Sequence, residues 1–474
     1  MAITESEVGA RLDRLPIWPH PKSLLFMLGA GFFFAYFEGV NIGIALPGAL
    51  DQFNASLGDG ARVISLGLWG TLLGTLSSGY LSDRKGRRAA LFSGVMLCGA
   101  GSLLSAFAPS LTVFTGARFL ANMGSAAAAI TIGSYLSELS PAARRGRHVA
   151  TAVIPGMAGL ASVPFIGLAV VPAFDAGWRV MLVMPALAAV IYLAGYRVMP
   201  ESPRWLVTHG RADEAEKVIR KAEDHVRSRI PGELPPLDTR HNALPGTTPD
   251  TKEGGQTRKL FQAPNLRWTI LFALIWFGFQ VPVKSVLGLG VELLTRRGFD
   301  IAQSIALSIG LSVGVVIGAL LAFAVTDMFP RKHSLAAMTA TSAVLIILMG
   351  IFPTTALIVV AWVAMGMVIG FSTPILNLIT AEHFPTRIRN RGASVSSALG
   401  DLGGVAGPYI AVAAFSAVGF SGAWFAFGGF LLVLLIPLAM TRNTNGTALE
   451  SVTPGVPTDA PAGSEAGPVT RTPA

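Results

Sequence analysis

The chain has 474 residues, 52% of them hydrophobic and only 13% charged, with a formal net charge of +9. A soluble protein carries about 25% charge, so this chain has too little polar surface to cover a water-soluble globule. Its single cysteine, Cys98, excludes an internal disulfide or a redox pair. No Walker-type phosphate loop, Cys/His metal cluster or repeated carbonyl filter appears either.

The apolar runs match the roughly 20 residues that cross a bilayer. In chain order we expect twelve helical spans, at about 23–49, 62–81, 89–108, 111–137, 148–173, 178–199, 268–294, 303–326, 334–352, 354–381, 392–419 and 421–441. The first run is too long for a signal-peptide core and has no small-residue cleavage site behind it, so it reads as a retained helix. The loops after spans 2, 4, 8 and 10 hold Arg84, Lys85, Arg87, Arg88, Arg144, Arg145, Arg147, Arg331, Lys332, Arg387, Arg389 and Arg391, whereas the opposite loops hold only Arg62, Arg179, Arg296 and Arg297. By the positive-inside rule the first set faces the cytoplasm, and both termini lie inside. Topology therefore accounts for the basic balance, and no nucleic-acid partner is implied.

Residues 200–267 divide the chain into halves at 1–199 and 268–441. Within the divider, Arg211 to Lys221 reads as a polar amphipathic helix. The Pro- and Gly-rich stretch after it reads as a flexible linker. The tail, 442–474, is rich in Pro, Thr, Ser, Gly and Ala and is expected to be disordered.

The halves repeat at an offset of 244 residues. Asp83 matches Asp327, Arg87 matches Arg331, Arg88 matches Lys332, Glu138 matches Glu382, Pro141 matches Pro385 and Arg145 matches Arg389. Parallel repeats, each a hydrophobic bundle, are the sequence mark of a large class of secondary transporter.

Charges deep in a membrane cost about 2.5–3.5 kcal/mol on insertion scales and are functional suspects. Four stand out: Glu38, Arg118, Lys284 and Asp401. With a rise of about 1.5 Å per residue, Glu38 and Arg118 fall at similar depth in the outer half of the membrane, where an ion pair can form. Such a pair is either a proton-coupling switch or a static pin between spans 1 and 4. Lys284 and Asp401 either pair with each other or face a central cavity, and Lys284 can alternatively snorkel to the outer interface. Asn41, Gln280 and Asn377 are candidate substrate contacts, against the alternative of bonding between helices. Trp276, Phe279, Trp362 and Phe371 are candidates for stacking on an aromatic substrate. Pro47, Pro155, Pro164, Pro282, Pro374 and Pro408 are candidate hinges. The small-residue run from Gly124 to Ala129 is expected to bring span 4 close to span 2.

Gly79-Tyr80-Leu81-Ser82-Asp83-Arg84-Lys85-Gly86-Arg87-Arg88 resembles the signature loop between helices 2 and 3 of the major facilitator superfamily. Pro200-Glu201-Ser202-Pro203-Arg204-Trp205-Leu206 resembles the motif after helix 6 in its sugar-porter, aromatic-acid and organic-ion branches, and Gly116-Ala117-Arg118-Phe119-Leu120 resembles their helix 4 start. Span 7 reads Gln280-Val281-Pro282 where sugar porters usually show a Gln-Gln pair, and Asp401 precedes Leu402-Gly403-Gly404 where aromatic-acid carriers often have an Arg.

The resemblance implies an all-α integral membrane protein of twelve transmembrane helices in two pseudo-symmetric six-helix bundles. It implies a secondary active transporter rather than an enzyme, working by alternating access, with no cofactor beyond a coupling proton. In proton-coupled relatives an acid on helix 1 pairs with the helix 4 Arg, a role that falls here to Glu38 and Arg118, although their acid usually lies where this chain has Asn41. The loop Asp, here Asp83, is expected to cap helix 11. It would join Arg87, Arg88, Glu138, Arg145 and Glu201 in a cytoplasmic gate, with Asp327, Arg331, Glu382 and Arg389 as its second copy. The expected activity is proton-coupled uptake of a small polar organic metabolite by a monomer in the plasma membrane. An exporter, a uniporter or, more remotely, a membrane sensor are the alternatives.

Overall fold

The computed structural model describes residues 3–230, 233–237, 260–263, 265–325, 328–384 and 388–442. Part of the linker, Asp327 and the tail from 443 on fall outside the described residues. The described residues are mostly helical, with no strand among them.

The spans are span 1 (Lys22–Gln52), span 2 (Leu57–Lys85), span 3 (Arg87–Ala106), span 4 (Leu111–Leu139), span 5 (Arg145–Val170) and span 6 (Gly177–Val183 and Ala186–Gly195). The second half continues with span 7 (Asn265–Arg297), span 8 (Ile301–Val325), span 9 (Arg331–Ile351), span 10 (Thr355–Glu382), span 11 (Arg389–Val418) and span 12 (Phe420–Val433 and Leu435–Ala439). All but span 2 are long and apolar enough to cross a bilayer by length and composition alone. Span 2 has the length, but its glycines, serines and charged ends dilute its hydropathy, and it packs along span 4.

The repeat read from loop charges extends to the packing between helices. Gly70 and Gly74 let span 2 rest on the backbone of span 4 at Phe119 and Met123; Gly314 and Gly318 do the same for span 8 on span 10 at Val363 and Met367. Gly159 rests on the Phe33 carbonyl and Gly403 on the Phe277 carbonyl, which duplicates the contact of spans 1 and 5 in spans 7 and 11. Every member of these pairs is 244 residues from its counterpart. Ser110 caps the start of span 4 by accepting from Val113 N, and Thr354 caps span 10 in the same way.

A Cβ at Gly74 would strike the Met123 carbonyl and one at Gly318 the Met367 carbonyl. Both neighbours are backbone and cannot swing aside, so Gly74→Ala and Gly318→Ala are each expected to cost about 1–3 kcal/mol by overpacking. Thermal unfolding of the two variants checks this, and a wild-type midpoint in either would contradict it.

One expectation is corrected. Gly124 lies against Cys98 N and the Gly94 carbonyl of span 3, not against span 2, because the close approach to span 2 is supplied by that span's own glycines. The six candidate hinge prolines all sit inside unbroken helices. Interruptions of the helices fall at Met184-Pro185 in span 6 and at Leu434 in span 12, and neither was foreseen.

The N-terminus carries its own helix, Glu5–Asp13, capped by Thr4, which sequence reasoning did not foresee. Its buried Val8 and Leu12 meet Trp205, Ile219, Ala222 and Val226 from the divider, whose helices span Pro203–Thr208 and Ala212–Arg227. Arg11 bonds Glu216 at 2.5 Å and Glu223 at 2.9 Å, Arg14 bonds Glu223 at 2.6 Å, and Asp13 accepts from Ala142 N at 2.8 Å. The first half of the divider is thus a small helical cap fastened to the first bundle.

Candidate functional site

The two bundles meet through span 1 with span 7, span 2 with span 11, and span 5 with span 8. The named contacts lie toward the side away from the basic loops. Gly43 abuts the Leu287 carbonyl, Gly288 abuts Ile64, and Ser65 Oγ donates to the Val405 carbonyl at 2.8 Å. Gly43 and Leu287 are counterparts at the repeat offset, so the local two-fold axis passes between them.

On the side of the basic loops, every ion pair between described residues stays within one half. Arg87 bonds Asp83 at 3.1 Å and Glu138 at 3.0 Å; Arg331 bonds Glu382 at 2.5 Å. There Gly79, on the face of span 2 that carries Ser65, has open space before it, with nothing within 4 Å of a Cβ, whereas Ser65 near the other end is buried against the Val405 carbonyl. The halves are closed away from the basic loops and parted toward them.

The expected gate residues follow from this state. Glu201 accepts from Arg87 N at 2.9 Å and Arg88 N at 3.1 Å, which places a carboxylate on the free amides that begin span 3. Ser202 donates to Glu138. Arg88 donates to the Tyr196 carbonyl at 2.8 Å, closing the end of span 6, and its counterpart Lys332 donates to the Ala439 and Thr441 carbonyls at 2.5 and 2.8 Å, closing the end of span 12. Asp83 does not reach span 11: its side chain is 76% exposed and pairs within its own half, because the bundles are apart at this level. Arg145 pairs with no carboxylate among the described residues, and its Nε has no partner. Arg389 begins span 11, and Asp327 lies outside the described residues.

The four intramembrane charges separate into two sets. Glu38 and Arg118 are 0% and 1% exposed, and their Oε1 and Nη1 approach to 2.6 Å. Asn41 is held inside the same network. Its Nδ2 donates to Glu38 Oε2 at 3.1 Å and to the Met181 carbonyl at 3.2 Å, and its Oδ1 accepts from Arg118 Nη2 at 3.2 Å. Ser102, which sequence reasoning missed, donates to Glu38 Oε2 at 3.4 Å. The expectation that Asn41 contacts substrate is therefore corrected: it is fully buried and both ends of its amide serve the ion pair. The close Nη1–Oε1 approach lacks hydrogen-bond alignment, and Arg118 Nε has no acceptor. The network is thus strong in charge and incomplete in hydrogen bonds.

The second set lies on spans 7 and 11, which Gly400, Gly403 and Gly407 draw together. Gln280 donates to Asp401 Oδ1, so Asp401 is held by an amide and not by Lys284. Lys284 is partly buried, packs its stem near Gly404, and has no carboxylate within 4.0 Å among the described residues. It is neither paired nor at the end of its helix, which leaves a free ammonium one helical turn along span 7 from the Gln280 that holds the exposed Asp401. Asn377 on span 10 is exposed and donates only to the Thr373 carbonyl one turn back, at 3.0 Å.

The aromatic candidates Trp276, Phe279, Trp362 and Phe371 are all buried. Trp276 donates to Thr380 Oγ1 at 3.3 Å and packs edge-on to Phe279. Trp362 borders a small space of about 40 Å³ between the halves, and its indole N–H has no partner. None is presented for stacking in this state.

One more intramembrane acid went unread. Glu292, near the end of span 7, is 3% exposed, bonds Arg296 at 2.7 Å, and borders a cleft of about 570 Å³ with Asp51 of the other half. Its signal was the Glu–Arg spacing of four at a span end.

The profile of the sugar (and other) transporter family matches residues 47–454. Among curated proteins, a putative metabolite transport protein of Bacillus subtilis, YyaJ, is 28% identical over 93% of this chain and 96% of its own. The niacin transporter NiaP of Acinetobacter baylyi is 26% identical over 94% and 99%. A solved D-xylose-proton symporter superposes with a TM-score of 0.65 at 19% identity, covering 90% of this chain and 98% of the other, and so shares the fold.

Proposed function

We propose that this chain, which belongs to the sugar (and other) transporter family of the major facilitator superfamily, is a proton-coupled importer of a small polar organic metabolite. The observation that carries the coupling is the Glu38–Arg118 pair, an acid and a guanidinium closed off from water between spans 1 and 4. A guanidinium that moves toward or away from a buried carboxylate changes that group's proton affinity. Protonation of Glu38 removes the attraction and leaves Arg118 Nη2 to two neutral acceptors, Asn41 Oδ1 and the Glu38 backbone carbonyl. Rotation of span 4 against span 1 then links proton uptake to the exchange of open sides.

Substrate is proposed to sit between the halves, against Lys284, Asp401 and Gln280 of the second bundle, with Asn377 nearer the basic loops. An ammonium and a carboxylate on the facing spans 7 and 11 suit a polar or zwitterionic molecule. Relatives named for niacin and for xylose with protons are compatible with small polar cargo. The parted side is proposed to be cytoplasmic, with both termini there, in a monomer of the cell membrane.

Complete burial of the pair favours one other reading, in which it only pins span 1 to span 4 and transport is uniport. Proteoliposomes separate the two. With an imposed proton gradient, the wild type is expected to accumulate substrate above equilibrium. Glu38→Gln is expected to lose accumulation while keeping substrate exchange at zero gradient. A wild type that only equilibrates substrate would establish the pin with uniport, and undiminished accumulation by Glu38→Gln would move the proton coupling to another group.

A further inference from the structure

On the side of the basic loops lies a cavity of about 1010 Å³ between the first bundle and the cap. Its walls carry six full cations, Lys85, Arg88, Arg197, Arg211, Lys217 and Lys221, against two carboxylates, Glu201 and Glu214. The carboxylates are already engaged, Glu214 by Arg211 at 2.7 Å and Glu201 by the amides that open span 3. Arg88 is committed to the Tyr196 carbonyl and stacks over that ring. Lys85, Arg197, Lys217 and Lys221 have no carboxylate within 4.0 Å among the described residues.

The helix Ala212–Arg227 divides its charge by face. Glu216 and Glu223 turn to Arg11 and Arg14 of the N-terminal helix, whereas Lys217, Lys221 and His225, at successive i,i+4 spacings, border the cavity. Like charges at that spacing destabilise a helix, and the positive-inside rule asks only for basic residues on this side, not for their convergence. A second observation points inward. His20 borders the same cavity, is only 6% exposed, and its Nε2 has no hydrogen-bond partner. Burial, with His225 nearby, pushes its imidazole down to about 3, so it is neutral and can offer an N–H without a charge of its own.

We infer that this cavity binds a phosphate-bearing anion, held by Lys217, Lys221, Arg197 and Lys85, with the unpartnered His20 as a further donor from its wall. Phosphate supplies the several acceptor oxygens that such a convergence of donors needs. The cavity sits at the ends of spans 2, 3 and 6, so the same chemistry can arrive as a phospholipid headgroup or as a soluble phosphomonoester.

The test uses the full-length protein in neutral detergent at fixed ionic strength, with thermal unfolding titrated by dihexanoyl phosphatidylglycerol in one arm and by glycerol 3-phosphate in the other. Wild type is expected to gain stability in at least one arm relative to chloride. Lys217→Gln/Lys221→Gln is expected to weaken that response about tenfold, the loss of two charge-assisted contacts. Lys217→Arg/Lys221→Arg should retain it, which separates charge from folding. Arg229→Gln, which removes one charge outside the cavity, should also retain it. A response to the lipid alone assigns the headgroup, and a response to glycerol 3-phosphate assigns a soluble phosphate. No response in either arm, or an equal loss in Arg229→Gln, overturns the site.

Discussion

Replacing Arg118 by leucine is expected to destabilise the protein by about 3–5 kcal/mol, the cost of leaving one member of a buried ion pair uncompensated. Glu38 is 0% exposed, and its remaining partners would be the Asn41 amide and the Ser102 hydroxyl, neither of which carries charge. Removing both charges should cost far less. The double variant Glu38→Gln/Arg118→Leu is expected to recover most of the loss, since a neutral amide can keep the Asn41 and Ser102 contacts. Thermal unfolding of the two single variants and the double variant forms a double-mutant cycle. Additive losses would mean that the pair is not energetically coupled, and its proposed role in proton exchange would fall with that result.

The cycle also bears on transport. If the double variant is as stable as the wild type yet no longer concentrates substrate, the charges are retained for function and not for stability. Buried pairs are weak evidence of stabilisation, because taking two ions out of water costs several kcal/mol each. Here the hydrogen bonding is incomplete as well, with Arg118 Nε unsatisfied. A sequence selected only to fasten span 1 to span 4 has a simpler device on the same helices, seen where Ser125 Oγ donates to the Ala35 carbonyl at 2.9 Å.

What the sequence made legible is the scaffold that repeats. The offset of 244 was read from loop charges, and the structure extends it to close helix contacts such as Gly74 on Met123 and Gly318 on Met367. The polar candidates fall where the repeat breaks. Glu38 is matched by Pro282, Arg118 by Trp362, Gln280 by Tyr36, Lys284 by Val40, Asp401 by Met157 and Asn377 by Gly133. Packing constraints act alike on both halves, so shared positions report the fold, and positions that differ in chemistry report what each half does separately.

Where sequence reasoning failed, the missing information was three-dimensional. Asn41 reads as a cavity amide until the Met181 carbonyl from span 6 is seen closing over it. Asp83 reads as a contact between halves, but that contact belongs to a state in which the basic-loop ends meet, and here they are apart. The N-terminal helix is nine residues long and needs the divider's Ile219 and Val226 to bury its apolar side. Isolated helices of that length are marginal, so its pattern carried little weight alone.

Locking the closed side should abolish transport without touching the ion pair. Ser65 Oγ reaches the Val405 carbonyl at 2.8 Å across the halves, which brings spans 2 and 11 near enough for a cysteine pair at these positions. Cys98 is buried, and changing it to Ser leaves the introduced pair as the only thiols. Oxidised Ser65→Cys/Val405→Cys is expected to lose net uptake by roughly tenfold or more, because alternating access needs that side to open. Reductant should restore uptake, and substrate should still bind, since the basic-loop side remains parted. If the cross-linked protein transports at the wild-type rate, the contact of spans 2 and 11 does not separate during the cycle, and the proposed alternating-access movement about the Gly43–Leu287 axis is wrong.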